Sequence, residues 1–472
     1  MSGAAMLQGA APGAPPVPRG FRASLRNADA FKANPLAFYM RLTRDDESGY
    51  RRVAPFDLFG PNVLVNDVDE AWRILTSAVD RGGYTKDGLR FFEVMRRLLG
   101  RGLFTAEGDG HLQQRRLLQP SFQPRRIDGM AGGITRAAAE VGARWSTQVG
   151  AVLDVEGEMR RLALDLLAEA LIGADLRDDV HELGALDEEM EARLLDTMGA
   201  PLLVPAWVPT PGNRRFARAA SRMRAVVARL IARRRASLGA ARAPDVLLTR
   251  LLADELWTGA MGERQLEDEI ATLLVGGYKT TALALTWTWY LLATHPDVAR
   301  RLHAEVTGQV GPRLPTPEDA RNLRYTRMVV LESMRLYPPV WVISRVAARA
   351  DEVAGVAVPR GAIVAISPYT LHRHPAHWSR PDGFYPEHFA EGVARPAHVY
   401  LPFGAGRHKC IGNHYAMAAA MLTLATLAGR YTFEPPSHPV VANTRAFTTP
   451  DPGLRMRLAA APGSLLEGRD AA

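Results

Sequence analysis

The order of apolar and polar positions predicts a chain made mostly of helices. From about residue 110 to about residue 300, apolar residues recur at the three- and four-residue spacing of amphipathic helices. One run, 263–295, is expected to form a single helix of about thirty residues that ends before Pro296. Nearer the N-terminus, two short β-type runs flank Gly60 and Pro61, and a helical pattern begins near Val68. We therefore expect a mainly helical protein with a small sheet near its N-terminus.

Breaks in this pattern suggest the domain organisation. Residues 1–25, rich in Ala, Gly and Pro, are expected to be a flexible leader, 26–462 one helix-rich domain, and 463–472 a flexible tail. The N-terminus lacks both the basic and apolar regions of a signal peptide and a run of about 18 apolar residues. We therefore expect a cytoplasmic protein without a transmembrane anchor.

Two connecting segments carry their own predictions. Pro201–Gly212 is Pro-rich and apolar for a loop, so it is either a lid over a binding site or a packed connector. Residues 353–367 alternate small apolar residues around Pro359 and are expected to form a β-hairpin.

Composition narrows the function classes. The 472 residues exceed the roughly 250 to 300 at which a single core usually stops growing, so two domains or one large domain around a cofactor are expected. Lys and Arg outnumber Asp and Glu by 58 to 50, but without an aromatic-interleaved stripe, so we expect solvated helix faces and no nucleic-acid partner. The single cysteine excludes an intramolecular disulfide and a conventional iron–sulfur cluster within the chain.

The most specific segment is PFGAGRHKCIG, residues 402–412. Gly404 and Gly406 permit a tight turn, and Cys410 lies where a long apolar helix, 413–428, is expected to begin. Amide hydrogens and the positive dipole end of a helix N-terminus favour a thiolate over a thiol. A lone cysteine is usually a small buried hydrophobe, but these residue types at this spacing resemble the haem-ligand signature of the cytochrome P-450 superfamily.

That resemblance covers roughly residues 50 to 460 and carries expectations for the whole chain. It implies the mainly α cytochrome P-450 fold of soluble bacterial members, a helical domain with a small β-sheet subdomain around a buried haem. Cys410 would be the axial ligand of the iron of haem b, and dioxygen the co-substrate. NAD(P)H electrons would arrive through a ferredoxin or flavodoxin and its reductase. The monomeric enzyme would hydroxylate, epoxidise or otherwise oxidise a hydrophobic natural product of terpenoid, polyketide or fatty acyl type.

Several basic residues match the family's haem partners. His111 and Arg115 lie one helical turn apart in GDGHLQQRRLLQPSF, as in the propionate-binding helix, and Arg345 matches a further propionate partner. Within the signature, Phe403, His408 and Gly412 are expected to contact the haem. The basic residues expected to dock an acidic redox partner are Arg115, Arg116, Arg407 and Lys409.

A structural network is also implied. Glu332 and Arg335 lie three residues apart in VVLESMRLYPP, where opposite charges on one helical face can pair. In the family they form a buried network with a third basic residue, usually Arg, which is His388 in this sequence. This replacement is expected to weaken the network at high pH.

The long helix carries the oxygen side of the expected site. Gly276 and Gly277 cost about 1 kcal/mol each relative to Ala, and the Thr280 hydroxyl can bond the Gly276 carbonyl and open a groove for dioxygen. In the family an acid precedes this threonine, but here the residue is Lys279. Three alternatives are open: Lys279 points to solvent while Thr280 orders a water, its ammonium donates the proton, or the chemistry is not plain hydroxylation.

The resemblance also predicts the residues of the substrate pocket, and the sequence leaves alternative functions open. By family position the pocket is lined by the loop around Phe91 to Leu103 and by Leu274, Tyr278, Val340, Trp341, Val342, Ile343, Phe447 and Thr448. One rival is a peroxide-driven or oxygen-independent haem-thiolate enzyme, for which Lys279 is the motive. The others are a haem carrier or gas sensor without turnover, and a helical binding module without haem.

Overall fold

The computed structural model describes most of the chain. The described residues are 21–44, 51–58, 60–169, 182–184, 186, 189–190, 192–194, 204–205, 207–237, 246–253, 262–393, 396–444 and 446–462. The expected tail, residues 1–20 of the expected leader and part of the Pro201–Gly212 segment lie outside them.

Helices dominate the described residues, as predicted. In chain order they are α1 (Phe21–Ala33), α2 (Pro35–Thr43), α3 (Val68–Arg73), α4 (Arg90–Leu99), α5 (Gly108–Leu118), α6 (Pro124–Trp145), α7 (Val155–Leu167), α8 (Pro211–Ser237), α9 (Leu247–Ala253), α10 (Gly262–Thr294), α11 (Pro296–Gln309), α12 (Pro317–Asn322), α13 (Arg324–Leu336), α14 (Pro368–Leu371) and α15 (Asn413–Leu427). The predictions of one long helix before Pro296 and of a helix after the cysteine loop are confirmed. Helix α1 begins at Phe21, inside the segment expected to be a leader.

The main core lies where α6, α7, α10 and α15 pack together. Helix α10 passes through the middle and contacts α7, α13 and α15. Trp145 of α6 packs edge-on against Trp289 of α10 and against Phe433, which fixes one end of this bundle. None of the described helices is both long and apolar enough to cross a bilayer.

The strands are short and fall into four sheets among the described residues. They are β1 (Val53–Asp57), β2 (Pro61–Val65), β3 (Tyr84–Thr85), β4 (Val152–Asp154), β5 (Ile343–Ala347), β6 (Asp351–Val353), β7 (Val356–Val358), β8 (Ile363–Ile366), β9 (Tyr431–Phe433), β10 (Val441–Thr444), β11 (Thr448–Asp451) and β12 (Arg455–Ala460). The largest sheet has the order β1-β2-β8-β5-β3, and only its β2–β8 pair is parallel. The predicted N-terminal strands are therefore confirmed, but their sheet is completed by strands from far along the chain.

The hairpin predicted around Pro359 is wrong. Strand β7 pairs with β6 across a turn at Ala354 and Gly355, which both have positive φ. Strand β8 pairs instead with β2 and β5. The connection through Pro359 and Gly361 therefore links two sheets, because β7 pairs with the strand before it and β8 pairs with strands from elsewhere in the chain.

The described part of the Pro-rich segment before α8 ends in an exposed tip. Trp207 is 83% exposed. Asn213 is buried beneath it and donates from Nδ2 to the carbonyls of Pro205 and Val208. At Trp207 the segment is not a packed connector.

Candidate functional site

The loop before α15 holds Cys410 in a tight turn. Gly404 and Gly406 have φ of 66° and 64°, a region that favours glycine. A Cβ at Gly406 would lie 2.2 Å from the carbonyl oxygen of Leu75, so no side chain fits there. The Cys410 amide donates to the carbonyl of Phe403 at 2.9 Å, which closes the turn two residues before the helix cap. The two glycines have the role that the sequence predicted.

The electrostatics around Cys410 act in two directions. Cys410 retains exposed surface but is surrounded by protein on most sides, and this desolvation raises the pKa of the thiol. The Gly412 amide, which hydrogen-bonds to the sulfur, and the charges of Arg115 and Lys409 oppose that rise. The desolvation has the larger effect, so the pKa of the Cys410 thiol is above its usual value. The donors that would stabilise a thiolate are nevertheless in place.

Beside this loop lies a cluster of buried donors drawn from three segments. The rings of His111 on α5 and His408 in the loop are 4.1 Å apart. Four buried nitrogens of this cluster make no hydrogen bond: Nδ1 of His111, Nε of Arg345, Nε of Arg407 and Nε2 of His408. Buried polar atoms are rarely left unpaired, and donors of this kind fit the carboxylates of a dianionic ligand.

Burial controls the charge of this cluster. It is the main cause that lowers the pKa of His111 to about 3 and that of His408 to about 4, so both imidazoles are neutral at physiological pH. Burial also lowers the pKa of Arg345 to about 10, which leaves this guanidinium charged. The cluster therefore combines neutral imidazole donors with charged guanidinium groups.

Sequence reasoning missed Glu107 and Lys86, which connect the cluster. Oε2 of Glu107 lies 3.5 Å from Nε2 of His408 and 3.9 Å from Nη2 of Arg407, and Oε1 accepts from the Lys86 amide at 2.9 Å. Burial favours a raised pKa for Glu107, but His408 and the Lys86 charge outweigh it and hold the pKa at about 2. Burial in turn lowers the pKa of Lys86 to about 7. Neither residue belongs to a local motif that could have identified it.

The structure places Arg115 under the cysteine loop. Its Nη1 donates to the carbonyl of Lys409 at 2.6 Å, and its charge acts on Cys410. Its neighbour Arg116 is exposed, as is Lys409. The four basic residues expected to dock a partner thus divide into two exposed and two partly buried side chains.

One stripe of residues in the centre of α10 is accessible, and the other residues there are buried. This accessible stripe is called the open stripe. Between 268 and 289, the residues that keep appreciable exposure are Leu273, Gly276, Gly277 and Thr280. Their spacing of three and four residues places them on one face of the helix. The Thr280 hydroxyl donates to the Gly276 carbonyl at 2.9 Å, so the predicted hydrogen bond is confirmed.

Gly276 and Gly277 are glycines for two different reasons. A Cβ at Gly276 would meet no atom within 4 Å, so this glycine keeps the open stripe clear. A Cβ at Gly277 would lie 2.7 Å from Cδ1 of Leu167, so this position is small because α7 packs closely against α10. Gly276 is therefore the member of the pair that shapes the stripe.

Lys279 does not point to solvent, so that expected alternative is wrong. The residue is 4% exposed, and its Nζ lies 5.6 Å from the ring centroid of Phe447. It follows Tyr278 and precedes Thr280 on α10, and successive helical residues are rotated by about 100°. The ammonium lies near the turn between β10 and β11, and its charge also acts on Glu156 at the start of α7.

Four of the expected pocket residues are buried. Leu274 and Tyr278 line an apolar cavity of about 10 Å³ together with Leu98 of the expected segment, which is space for about one water molecule. Trp341 is 2% exposed and packs against Phe31 and Tyr39 in the core of the N-terminal sheet. Thr448 is buried with all its polar groups bonded to structure.

The other expected pocket residues keep accessible surface. Val340 is exposed, and Val342, Ile343 and Phe447 are half-buried. The segment from Phe91 to Leu103 is mainly helix α4 rather than a loop, and the exposed ring that follows it is Phe104.

The expected network around Glu332 is assembled. Arg335 donates from Nε and Nη2 to both Glu332 oxygens at 2.8 Å, and neither side chain is exposed. His388 Nδ1 lies 3.1 and 3.2 Å from the same oxygens, and its Nε2 lies 3.2 Å from Oγ of Ser379. A neutral imidazole can donate from Nδ1 and accept at Nε2, so these contacts do not require a charged His388.

Two carboxylates on α10 that sequence reasoning missed hold the loop after α4. Oδ2 of Asp268 accepts from the Arg101 amide at 2.8 Å, and Oε2 of Glu269 accepts from the Leu103 amide at 2.9 Å. A Cβ at Gly102 would lie 2.1 Å from Oγ1 of Thr272, so the loop lies directly on the helix. This contact fixes the segment that carries Phe104.

Comparison with known proteins places the chain in a family. Residues 77–457 match the family model described as cytochrome P450. The chain is 37% identical, over 75% of its length and 76% of that protein, to cyclooctat-9-en-7-ol 5-monooxygenase of Streptomyces melanosporofaciens. It is 28% identical to pentalenene oxygenase of Streptomyces avermitilis, over 92% of this chain and 94% of that protein.

The fold agrees with these matches. The crystal structure of the cytochrome P450DA haem domain aligns with a TM-score of 0.78 over 90% of this chain and 93% of that one, at 23% identity. The buried donors beside Cys410 fit the haem that the family uses. The match of one family model to most of the chain, with the relatives that share it, shows that this protein belongs to the cytochrome P450 family of haem-dependent monooxygenases.

Proposed function

We propose that this protein binds haem b with Cys410 as the iron ligand and oxidises a hydrophobic natural product. The observation that carries this proposal is the meeting of Cys410 with unpartnered buried donors from α5, β5 and the cysteine loop. No other cluster of described residues combines a sulfur ligand with donors for two carboxylates. The proposal treats residues 26–462 as one catalytic domain.

The residues around Cys410 hold the haem in different ways. His111, Arg345 and His408 bind the propionates. Nδ1 of His111 and Nε of Arg345 are buried without a hydrogen-bond partner, and Nε2 of His408 lies 3.5 Å from Oε2 of Glu107. Arg115 holds the Lys409 carbonyl and thereby the ligand loop, while Phe403 and Gly412 flank the sulfur. Metal coordination removes the proton from a thiol outright, which offsets the raised pKa of Cys410. The bound haem supplies reductive activation of dioxygen.

The open stripe of α10 binds the water that delivers a proton during the reaction. The Thr280 hydroxyl donates to the Gly276 carbonyl, so its oxygen lone pairs are free to accept a hydrogen bond from water. A water held there can deliver a proton to the reacting oxygen. Gly276 leaves room for that water, because no side chain covers the stripe at this point.

The substrate class follows from the lining and from the relatives. Val340, Val342, Ile343 and Phe447 keep apolar surface accessible, together with Phe104. These surfaces suit a terpenoid, polyketide or fatty acyl scaffold. Relatives named for oxidation of cyclooctat-9-en-7-ol and of pentalenene favour the terpenoid class.

The electrons are proposed to come from NAD(P)H through a ferredoxin or flavodoxin and its reductase. Exposed Arg116 and Lys409 beside the ligand loop provide positive charge for an acidic carrier. The protein would act as a monomer in the cytoplasm, where this reductant is available.

The reduced, carbon-monoxide-bound absorption spectrum tests the proposal. The wild type should show the band of thiolate ligation, and Cys410→Ala should lose it. His414→Ala is the matched control, because His414 is exposed in the first turn of the helix that follows Cys410. A thiolate band that persists in Cys410→Ala means that the ligand assignment is wrong.

A peroxide-driven enzyme remains the second candidate, and its motive was Lys279. The hydrogen bond of Thr280 to Gly276 on the open stripe favours the monooxygenase route instead. Turnover with ferredoxin, its reductase and NADPH but not with peroxide supports the monooxygenase route.

A further inference from the structure

Lys86 is a buried lysine that makes two hydrogen bonds to one neighbouring segment. It lies directly after β3, and its side chain is 4% exposed. Its amide donates to Oε1 of Glu107 at 2.9 Å, and its Nζ donates to the carbonyl of Phe104 at 2.9 Å. Both acceptors belong to residues 100–107, the segment that connects α4 to α5. Lys86 therefore holds this segment through its backbone and through its side chain.

Glu107 joins this lysine to the buried donors beside Cys410. These donors, called the donor cluster, are His111, Arg345, Arg407 and His408. Oε1 of Glu107 lies 3.9 Å from Nζ of Lys86, while Oε2 lies 3.5 Å from Nε2 of His408. The carboxylate thus contacts the lysine with one oxygen and the donor cluster with the other. A continuous path of contacts runs from the Phe104 carbonyl to the imidazole of His408.

Lys86 is close to losing its proton at neutral pH. Burial lowers the pKa of Lys86 from 10.5 to about 7, and the negative charge of Glu107 opposes this shift. The other groups around the ammonium are the charges of Arg345 on β5, Arg96 on α4 and Asp87, the ring of Phe92 on α4, and the neutral imidazoles of His111 and His408. The ammonium and the neutral amine therefore have similar free energies near neutral pH. Negative charge added beside Glu107 would favour the ammonium.

We propose that Lys86 is a positioning residue that couples ligand binding at the donor cluster to the segment 100–107. The two carboxylates of a bound haem add negative charge beside the donor cluster and keep Lys86 protonated. A charged donor makes a stronger hydrogen bond to the Phe104 carbonyl than a neutral amine does. Because coupling between two sites is reciprocal, the segment in turn stabilises the bound haem. The inference rests on the proposed function in that haem supplies the two carboxylates.

Haem loss from the holoenzyme tests the coupling without turnover. The ferric protein is mixed with excess apomyoglobin at neutral pH, and the rate of haem transfer is followed by absorbance. We expect transfer to be about tenfold faster in Lys86→Met, which loses one charge-assisted hydrogen bond. Lys86→Arg keeps a cation and should restore most of the difference. Unchanged transfer in Lys86→Met overturns the coupling.

The matched control for these variants is Lys32→Met. Lys32 is exposed on α1, far along the chain from the segment 100–107. Its replacement removes the same charge from the protein and should leave haem transfer unchanged. Equal acceleration in Lys32→Met and Lys86→Met would mean that net charge governs haem loss, and the coupling would be wrong.

The pH dependence of haem transfer separates the coupling from a purely structural role. Since bound haem raises the pKa of Lys86 above about 7, haem binding takes up a proton at alkaline pH, and haem affinity falls as pH rises. We expect transfer from the wild type to become about fivefold faster between about pH 6.5 and about pH 8.5. Lys86→Met has no proton to lose and should show no such rise. The same pH dependence in both proteins would leave Lys86 only a structural role and overturn the coupling.

Hydrogen exchange measures the other end of the coupling. In the holoenzyme, peptides covering residues 100–106 should exchange about tenfold faster in Lys86→Met than in wild type, and at the wild-type rate in Lys32→Met. Faster haem transfer without faster exchange would show that Lys86 acts on the haem alone, which contradicts the proposal. A protein that lacks the thiolate band overturns the haem assignment, whereas one that has the band but fails these measurements overturns the coupling alone.

Discussion

The backbone amide of Leu103 donates a 2.9 Å hydrogen bond to Oε2 of Glu269, a side chain with no exposed surface in the first half of α10. Gln265 donates to the other carboxyl oxygen at 3.0 Å. Burial raises the pKa of Glu269 from 4.5 to about 7, because these two donors do not replace the solvation that is lost. The loop that carries Phe104 is therefore held by a carboxyl that titrates near neutral pH.

Replacing Glu269 with Gln should change how stability depends on pH. The folded state holds the Glu269 proton more tightly than the unfolded state, so the free energy of unfolding falls as pH rises from 4.5 to about 7 and stays low above that. Glu269→Gln removes this term. We expect the variant to match the wild type near pH 5 and to exceed it above pH 7 by up to about 3 kcal/mol. Urea unfolding at several pH values measures the difference.

Glu263→Gln is the control for this prediction. Glu263 lies on the same helix, but it is exposed and paired with Arg235 on the surface. Its replacement should leave the pH profile unchanged. A stability difference between Glu269→Gln and wild type that is the same at pH 5 and pH 8 contradicts the raised pKa.

Replacing Thr280 with Ala should uncouple electron use from product formation. The change removes the hydroxyl that bonds the Gly276 carbonyl and that can hold water on the open stripe. We expect product formed per NADPH consumed to fall by about tenfold or more, with the excess appearing as peroxide. Thr280→Ser keeps a hydroxyl and should retain most of the coupling. Equal coupling in Thr280→Ala and wild type would show that another group holds the water.

The Glu332 network should be far more important for stability than a surface pair of the same chemistry. Glu332→Gln leaves the guanidinium of Arg335 buried without its counter-charge, and breaking a buried pair in this way costs about 3 to 5 kcal/mol. We expect a loss of this size in urea unfolding, together with a lower haem content.

The matched control is Arg324→Ala. Arg324 pairs with Glu391 at 3.1 Å, but both side chains are more than four-fifths exposed. Such pairs contribute about 1 kcal/mol or less. Comparable losses in Glu332→Gln and Arg324→Ala would be evidence against the buried network.

The features that the sequence predicted are those carried by consecutive residues. The turn glycines around Cys410 and the bond from Thr280 to Gly276 depend on neighbours within one helical turn or one loop. The same is true of the pair formed by Glu332 and Arg335, whose contact follows from helical spacing. These contacts follow from local geometry and do not depend on tertiary packing.

The features that the sequence did not predict depend on distant neighbours. An apolar residue suits a pocket wall and a core equally well, and only the rings of Phe31 and Tyr39 show that Trp341 belongs to the core. Strand β8 pairs with β2 rather than with adjacent β7, which no alternation pattern encodes. In the sequence, Glu269 is one polar residue of an amphipathic helix, and only the loop at Leu103 shows that it is covered.

Charge reversal at Arg116 should weaken the reaction with the electron carrier. Arg116 is exposed on α5 beside Arg115, which binds the ligand loop through the Lys409 carbonyl. An acidic ferredoxin approaching this face loses attraction in Arg116→Glu, so we expect its apparent KM to rise severalfold at low salt and the difference to shrink at about 0.5 M salt. The carbon-monoxide spectrum should not change. Arg214→Glu is the control, because Arg214 is exposed on α8, which packs against α4, α9 and α10. An equal rise in both variants would mean that net charge, rather than this face, governs the encounter.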